Sequence, residues 1–179
     1  LQVRALKKDN IQYPIRDSVK EEYEKKKKPT YKPNTITKAT KYHHGFINYN
    51  KITNDNELTS LIKDFFEALP PGEYNLKETH DFTMILPKKY YEEYDKWLLV
   101  GFALHNTDTR LFLTWLLFSS QSDKFTYDDI PKYLDMWHGM RDEGVTERSI
   151  MYWAKETNPV EFKKIHGESV LYYFEQCIS

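Results

Sequence analysis

A short polar loop between two apolar segments carries the residues best suited to bind a ligand. It lies between Phe118 and Phe125 and contains hydroxyl, amide and ammonium groups, from Ser119, Ser120, Gln121, Ser122 and Lys124. Hydroxyl and backbone N–H groups near helix ends, together with one lysine, suit the phosphate of a nucleotide or of a nucleic-acid backbone. From the residue types alone, simple capping of helix ends by Ser119 and Ser122 is the stronger interpretation.

Three arginines and a His-Asn pair are further candidates for ligand binding. Arg110, Arg141 and Arg148 either add to a positive patch or are surface residues paired with nearby acids. His105 and Asn106 stand where a predicted helix ends, so they suit a helix C-terminus as well as they suit a ligand. Both interpretations stay open for these five residues.

The sequence lacks the motifs of common catalytic sites. It contains no Gly-rich phosphate loop of the Walker type, no Rossmann glycine pattern, no nucleophile elbow, no His-Glu-x-x-His and no Cys-x-x-Cys. The acidic pairs at 92–93 and 128–129 fall in helical or helix-start contexts, which favours solvated carboxylates over a divalent-metal site. His43 and His44 are adjacent and would point apart, so they do not form a metal pair. We therefore predict neither a complete active site nor a metal site in this chain.

Charge is distributed unevenly along the chain. The net charge is -1, but residues 1–50 carry 12 Lys and Arg against 5 Asp and Glu, which leaves the remainder acidic. A basic arm beside an acidic globular part is common in nucleic-acid proteins. Any contact of the acidic part with nucleic acid must therefore use a local positive patch.

Composition indicates a folded protein of a reducing compartment. Apolar residues make up 40% and aromatic residues 16% of the chain, enough to build a core. The single cysteine, Cys177, excludes an internal disulfide. No apolar run reaches the length of a membrane span and no signal-peptide pattern is present, so we expect a soluble, intracellular protein. Because the chain begins with Leu, we expect it to be a piece of a longer polypeptide.

Apolar periodicity predicts an all-α fold, a small bundle of about five to six helices with an irregular basic N-terminal extension. Residues 111–118 are apolar nearly all round, which is typical of a helix buried on most sides. Amphipathic segments at 90–105, 130–137 and 146–154 flank this central helix. All four tryptophans lie on apolar stripes, which favours core packing over stacking on bases: Trp97, Trp115, Trp137 and Trp153.

Helix signals also occur outside this central region. Asn54 with Glu57 forms a capping box for a helix that stops at the Pro-Pro-Gly of 70–72, Thr146 caps another, and a last helix opens at Asn158. Residues 73–86 are predicted to hold a short strand because three apolar side chains alternate there, at Phe82, Met84 and Leu86.

The pattern divides the chain into three regions. Residues 1–52 are predicted to be a basic linker or extension, 53–87 a helix plus a connecting segment, and 88–179 the helical bundle. Within the first region, a short helix is predicted from Asp17 or Ser18 to Lys28. The run Lys25–Lys28 either binds phosphates or forms a solvated linker, and the second interpretation is the stronger one.

A longer motif runs through the bundle region. Its most specific part is the run Ser-x-x-Ser-x-Lys-aromatic, and its members are Trp97, Val100, Gly101, Ala103, Leu104, His105, Trp115, Phe118, Ser119, Ser122, Lys124, Phe125, Trp137, Thr146, Ser149, Ile150 and Ala154. With this motif, residues 88–157 resemble the helical C-terminal domain of viral and plasmid primases. Phe118 and Phe125 stand where that family is expected to have Trp and Tyr. In large DNA viruses the domain typically follows an archaeo-eukaryotic primase domain and precedes a superfamily-three helicase.

The resemblance implies an accessory domain of a DNA primase or primase–helicase. Such a domain binds the single-stranded template, the initiating nucleotide or both during primer synthesis in viral DNA replication. The resemblance makes phosphate binding by the loop of 119–125 as strong an interpretation as helix capping. A protein-interaction module that links primase and helicase domains without touching DNA is the first alternative, and an independent enzyme with an unrecognised site is the second.

The same resemblance implies partners and a location. The expected partners are single-stranded DNA, a nucleotide, and the catalytic primase and helicase domains of the same polypeptide, with no membrane. No cofactor is expected in this fragment, whereas NTP and Mg²⁺ are expected for the full-length enzyme. The expected location is the viral replication site in the host cell, either a cytoplasmic factory or the nucleus.

Overall fold

The computed structural model describes residues 47–141 and 144–178. These residues form eight α-helices and four short 3₁₀ turns and no strand, which confirms the predicted all-α fold. The α-helices are α1 (Asp55–Glu67), α2 (Tyr74–Met84), α3 (Lys89–Glu92), α4 (Tyr94–Thr107), α5 (Phe112–Ser119), α6 (Ile130–Gly139), α7 (Glu147–Thr157) and α8 (Pro159–Ile178). Within the described ranges, no helix combines the length and the apolar character that crossing a membrane requires.

Some sequence-based predictions lie outside the described residues. They are the irregular, linker-like structure of the N-terminal extension up to residue 46, the helix that ends at Lys28, the role of the run Lys25–Lys28, and the absence of a metal pair at His43 and His44. The division of the chain at residues 52 and 87 also stays a prediction. The structure does show that α1 and α2 pack against α5, so these helices contribute to the same core as the later ones.

The predicted strand within 73–86 is wrong, because these residues form helix α2. Leu76, Thr79, Phe82 and Leu86 are all buried, and their spacing of three to four residues is that of one helical face. This face packs against α5, α7 and α8. A three-residue alternation was therefore too short to distinguish a strand from a helix that tertiary contacts stabilise.

Helix α5 is the centre of the bundle, as its apolar composition predicts. Seven of its eight residues are buried, with Leu117 the exception. Helices α1, α2, α4 and α6 all contact it, while α7 packs on α2, α4 and α8. The predicted core positions of Trp115 and Trp137 are confirmed, since both are buried, whereas Trp97 and Trp153 are only partly buried.

Side-chain caps fix the starts of α1 and α7 at the predicted residues, Asn54 and Thr146, although Glu57 does not complete the predicted capping box with Asn54. The Glu57 backbone N–H donates to Asn54 Oδ1 at 2.9 Å, and the Glu57 carboxylate in turn accepts from the backbone N–H of Thr53 at 2.8 Å. Thr146 caps α7 in a capping box whose second member is Ser149. Each cap satisfies backbone N–H groups that the first helical turn leaves without a partner.

Helix α4 approaches α5 so closely at Gly101 that no side chain fits there. A Cβ at this position would lie 2.7 Å from Met140 Cε and 2.9 Å from the ring of Trp115. Gly101→Ala should therefore lower the free energy of unfolding by about 1–3 kcal/mol, the usual cost of overpacking, even though alanine favours a helix.

Urea unfolding followed by circular dichroism measures this effect, and Gly167→Ala is the matched control. Nothing lies within 4 Å of a Cβ added at Gly167 in α8, so that variant should be stabilised by up to about 1 kcal/mol. A Gly101→Ala variant as stable as the parent would contradict the close approach of α4 to α5.

A partly buried histidine links α2 to α5. His80 Nδ1 lies 2.9 Å from Thr114 Oγ1, and the imidazole packs against the ring of Phe66 with centroids 4.7 Å apart. Burial, with a smaller contribution from the charge of Lys77, lowers the pKa of His80 to about 4. The imidazole is therefore neutral in the folded protein at neutral pH.

This pKa predicts a loss of stability in mild acid. Between pH 6.5 and pH 4 the unfolded chain binds a proton at His80 that the folded protein does not, so stability is complete above this window and falls as the pH falls through it. Between pH 7 and pH 5 the contribution is about 2 kcal/mol. Urea unfolding at both pH values should show a smaller loss for His80→Gln than for the parent, and equal losses would count against a neutral His80.

Candidate functional site

The predicted polar loop forms one side of a cleft with a volume of about 330 Å³. Helices α3, α4 and α6 supply the other sides. The residues that line this cleft are Tyr91, Glu92, Tyr94, Trp97, Ser119, Ser122, Lys124, Phe125, Tyr133 and Met136. Its size is within the range of small-ligand pockets.

The aromatic side of the cleft is held by the core behind it. Trp97 stacks on the buried Trp115 with ring centroids 4.7 Å apart, and its indole Nε1 donates to Ser119 Oγ at 2.7 Å. Tyr133 lies edge-on to Trp97 at 5.9 Å and stacks on Phe125 at 5.4 Å. Because these rings brace one another, the aromatic surface is preformed.

The first hydroxyls of the loop are used by the end of α5. Ser119 Oγ donates to the carbonyl of Trp115 at 2.6 Å, and Ser120 Oγ donates to the carbonyl of Leu117 at 2.9 Å. The Gln121 amide likewise donates to the carbonyl of Phe118 at 3.2 Å. These bonds satisfy carbonyl groups at the end of α5, and of these three residues only Ser119 also lines the cleft.

Lys124 lies at the rim of the cleft beside Glu92. Its Nζ donates to the backbone carbonyl of Glu92 at 3.1 Å and lies 3.4 Å from Glu92 Oε2. The lysine side chain is 76% exposed, whereas the glutamate side chain is 22% exposed. A hydrogen bond from Ser122 and the neighbouring Lys124 hold the pKa of Glu92 below its usual value. The rim thus carries an ammonium group that solvent reaches, paired with one carboxylate.

The three candidate arginines do not line the cleft. The guanidinium of Arg110 donates to Glu73 at 2.8 and 2.9 Å and to Asp108 at 2.9 and 2.8 Å, so two carboxylates engage it fully. It ties the turn before α5 to the turn before α2. Arg141 is exposed after α6, and Arg148 is exposed on α7.

His105 and Asn106 also lie away from the cleft, in the last turn of α4. The imidazole of His105 meets the ring of Trp137 edge-on at 5.1 Å, and the Asn106 amide donates to the carbonyl of Val145 at 2.9 Å. Among the described residues, His105 Nδ1 and Asn106 Oδ1 are buried without a hydrogen-bond partner. This pair therefore contacts α6 and the segment before α7.

Sequence reasoning did not select most of the residues that line the cleft. Tyr94 and Tyr133 read as members of amphipathic stripes and Trp97 as a core residue, whereas the pattern gave no role to Tyr91 or Met136. The available signal was the number of tyrosines on these stripes, since a tyrosine combines an apolar ring with a hydroxyl that suits a boundary with water. In the described part of the chain, no group of three or more His, Cys, Asp or Glu side chains is placed to hold a metal ion.

Comparison with known families decides the kind of domain. Residues 79–154 match the model of the family Primase C terminal 2 (PriCT-2). This range contains every residue that lines the cleft. Residues 79–154 form a primase C-terminal domain. The resemblance that the motif from Trp97 to Ala154 indicates is thereby confirmed.

The curated relatives of this primase C-terminal domain are viral proteins, described as candidate primases of African swine fever virus. The protein of a Malawi tick isolate is 29% identical over 136 residues, covering 62% of this chain and 14% of the relative. That of a Namibian warthog isolate is 35% identical over 119 residues, covering 63% of this chain and 11% of the relative. The chain thus spans between 11% and 14% of the length of these relatives.

Proposed function

We propose that this primase C-terminal domain is an accessory domain that binds the single-stranded template through its cleft. The observation that carries the proposal is the exposed ammonium group of Lys124 at the rim of a cleft lined by aromatic rings. Bases of any sequence stack on aromatic side chains, and lysines neutralise the phosphates between them. Tyr94 offers the most accessible ring, since it is 63% exposed.

A single strand suits this cleft better than a duplex. The bases of a duplex are stacked on one another, so their faces are not available to Tyr94 or Phe125. A cleft of about 330 Å³ has room for a base and part of its sugar but not for a paired helix. An initiating nucleotide has the same combination of a base and phosphates, so it is a second ligand of the same chemical class.

Glu92 sets the conditions for phosphate binding. Its carboxylate lies beside Lys124 Nζ, so a phosphate must displace or share this ion pair. Repulsion between the carboxylate and the phosphate opposes binding. Removing the negative charge of Glu92 should therefore strengthen the binding of DNA, whereas removing the positive charge of Lys124 should weaken it.

Charge variants of this pair test the proposal. Lys124→Ala should weaken binding to oligothymidylate. It should also reduce the salt slope, which is the steepness of the fall in the logarithm of the binding constant with the logarithm of the salt concentration. The reduction should be about 0.7, the value for one phosphate contact on a single strand. Lys124→Glu should weaken binding further, while Glu92→Gln should strengthen it. Fluorescence anisotropy with a labelled oligonucleotide at two or more salt concentrations measures all three variants.

Lys164→Ala is the matched control, because Lys164 is an exposed lysine of α8 that does not line the cleft. Lys124→Ala and Lys164→Ala should unfold within about 0.5 kcal/mol of the parent, as exposed substitutions usually do. Urea unfolding of Lys124→Glu and Glu92→Gln checks that these variants also remain folded, since the Glu92 side chain is only 22% exposed. If Lys124→Glu binds oligothymidylate as tightly as Lys164→Ala does, the cleft is not the template site.

The exposed face of α8 favours a second candidate function, that of an interaction module. Leu171, Phe174 and Ile178 are exposed and follow helical spacing on one face of α8. Such an apolar face suits a helix of a partner, here the catalytic primase part or the helicase part of the same polypeptide. On this hypothesis, Phe174→Glu abolishes association with those parts in a pull-down assay, and the domain shows no salt-dependent binding of single strands.

A further inference from the structure

A second basic and aromatic surface adjoins the cleft across helix α3. Tyr91 and Glu92 of α3 line the cleft, whereas the ring of the preceding Tyr90 contacts Trp153 of α7 with centroids 5.6 Å apart. Helix α3 therefore joins the cleft to the exposed side of α7. We name the side chains of Lys88, Lys89, Tyr90, Arg148, Tyr152 and Lys155 the α3–α7 surface.

The cations of this surface are exposed and form no ion pairs within the described part of the chain. Lys88, Lys89, Arg148 and Lys155 are all exposed, and none of them forms an ion pair with a carboxylate of residues 47–141 or 144–178. The Nζ atom of Lys89 instead lies 5.4 Å from the centre of the Tyr90 ring. By contrast, other lysines of the domain are paired with acids, namely Lys77 with Asp81, Lys96 with Glu93, Lys124 with Glu92 and Lys132 with Asp129.

An exposed aromatic ring lies among these cations. Arg148, Tyr152 and Lys155 occupy positions i, i+4 and i+7 of α7 and so share one face of the helix. Tyr152 is 62% exposed. Burial raises the pKa of Tyr90, and the nearby hydroxyl group of Tyr152 makes a smaller contribution in the same direction. Helix α7 also carries Glu147 beside Arg148 and Glu156 beside Lys155, so the excess of positive charge on the surface comes from Lys88 and Lys89.

The surface is continuous with the rim of the cleft. Lys88 lies one helical turn before Glu92, about 6 Å along the axis at 1.5 Å per residue. Its positive charge also lowers the pKa of Glu92, although less than the hydrogen bond from Ser122 and the neighbouring Lys124 do. Lys88 and Lys89 therefore lie along α3 from Glu92, the residue that pairs with Lys124.

We infer that the α3–α7 surface binds the continuation of the single strand held in the cleft, with phosphates on its lysines and a base on Tyr152. This inference rests on the proposed binding of a single strand by the cleft. The combination of exposed cations with an exposed aromatic ring favours a nucleic acid over an acidic peptide, because stacking adds to the charge interaction. The surface supplies the local positive patch that an acidic domain needs to approach DNA.

Oligothymidylates of increasing length test the inference, at about 4, 8 and 16 nucleotides, the range of site sizes for single-strand modules. The affinity of the parent should rise from the shortest to the longer oligonucleotides. The rise should exceed the statistical gain that a longer strand has because it offers more binding registers to a single site. The triple variant Lys88→Ala, Lys89→Ala, Lys155→Ala should bind the shortest oligonucleotide like the parent and lose about tenfold on the longer ones. Its salt slope on the longer ones should fall by about 2, at roughly 0.7 for each phosphate that the variant no longer neutralises.

Two further variants separate this surface from general charge effects. Tyr152→Ala should reduce the gain with length while leaving the salt slope unchanged, because it removes stacking and not charge. Lys163→Ala with Lys164→Ala removes two exposed charges from α8 and should change neither quantity.

The outcomes distinguish this inference from the proposed function. If Lys124→Glu weakens binding at every length but the triple variant behaves like the parent, the cleft binds DNA and the α3–α7 surface does not. If the parent binds no oligonucleotide, the proposed function fails and the inference fails with it. If polyglutamate displaces the longest oligonucleotide from the parent as effectively as unlabelled oligothymidylate does, an acidic peptide is the ligand of this surface and the inference is overturned.

Discussion

Replacing Trp115 with alanine should lower the free energy of unfolding by about 3–5 kcal/mol, the usual cost of truncating a buried tryptophan. Its side chain is fully buried at the centre of the bundle. The ring stacks on Trp97 at 4.7 Å and lies 5.6 Å from Trp137, so its removal leaves a cavity between α4, α5 and α6. Trp137→Ala should have a cost in the same range. Urea unfolding followed by circular dichroism measures both.

Trp153 provides the comparison, because it is only partly buried and packs at the edge of the bundle against Tyr90. Trp153→Ala should therefore cost clearly less than Trp115→Ala. A Trp115→Ala variant that unfolds like the parent but no longer binds DNA would show that the indole is a stacking platform and not a core residue.

The double variant Tyr94→Ala, Phe125→Ala should weaken the binding of single-stranded DNA by about 2–6 kcal/mol, at 1–3 kcal/mol for each stacked base. Both rings line the cleft, and neither carries a charge. The salt slope should consequently stay close to that of the parent, in contrast to Lys124→Ala. Fluorescence anisotropy across a salt series gives the affinity and the slope in one experiment.

Phe174→Ala is the control for this double variant, since Phe174 is an exposed aromatic residue of α8 outside the cleft. Thermal unfolding shows whether the double variant remains folded, which matters because Phe125 stacks on Tyr133. If the folded double variant binds single-stranded DNA as tightly as Phe174→Ala does, stacking on Tyr94 and Phe125 does not contribute to binding. The charge of Lys124 would then have to account for binding alone.

Stacking and charge therefore make separable contributions to the proposed site. The aromatic rings are braced from behind by the core, so ring contacts do not need to form when a ligand arrives. The ammonium group of Lys124, by contrast, is paired with a carboxylate that a phosphate must displace or with which it must share the lysine. On the proposed function, Glu92 would limit non-specific attraction of anions, and the selected ligands would be those that also fill the aromatic part of the cleft.

The amino-acid sequence alone determined the helical class, the central position of α5 and the family. Residues 111–118 are apolar nearly all round, and such a helix is typically buried on most sides by other elements. Capping residues such as Asn54 and Thr146 predict helix starts because the cap acts within one turn. The spacing from Trp97 to Ala154 indicated the primase C-terminal domain by its resemblance to that family, and the match of residues 79–154 to the family model agrees with it. All of these are local or periodic properties, which a linear sequence displays directly.

Only the tertiary structure decided which candidate residues meet. Lys124 pairs with Glu92, 32 positions earlier, and Arg110 with Glu73, 37 positions earlier, so one candidate cation borders the cleft and the other ties two turns together. The same kind of distant contact made α2 a helix, because its buried face packs on α5, α7 and α8, whereas its short alternation of apolar residues predicted a strand. Contacts between residues far apart along the chain depend on how helices pack, and neither composition nor periodicity contains that information.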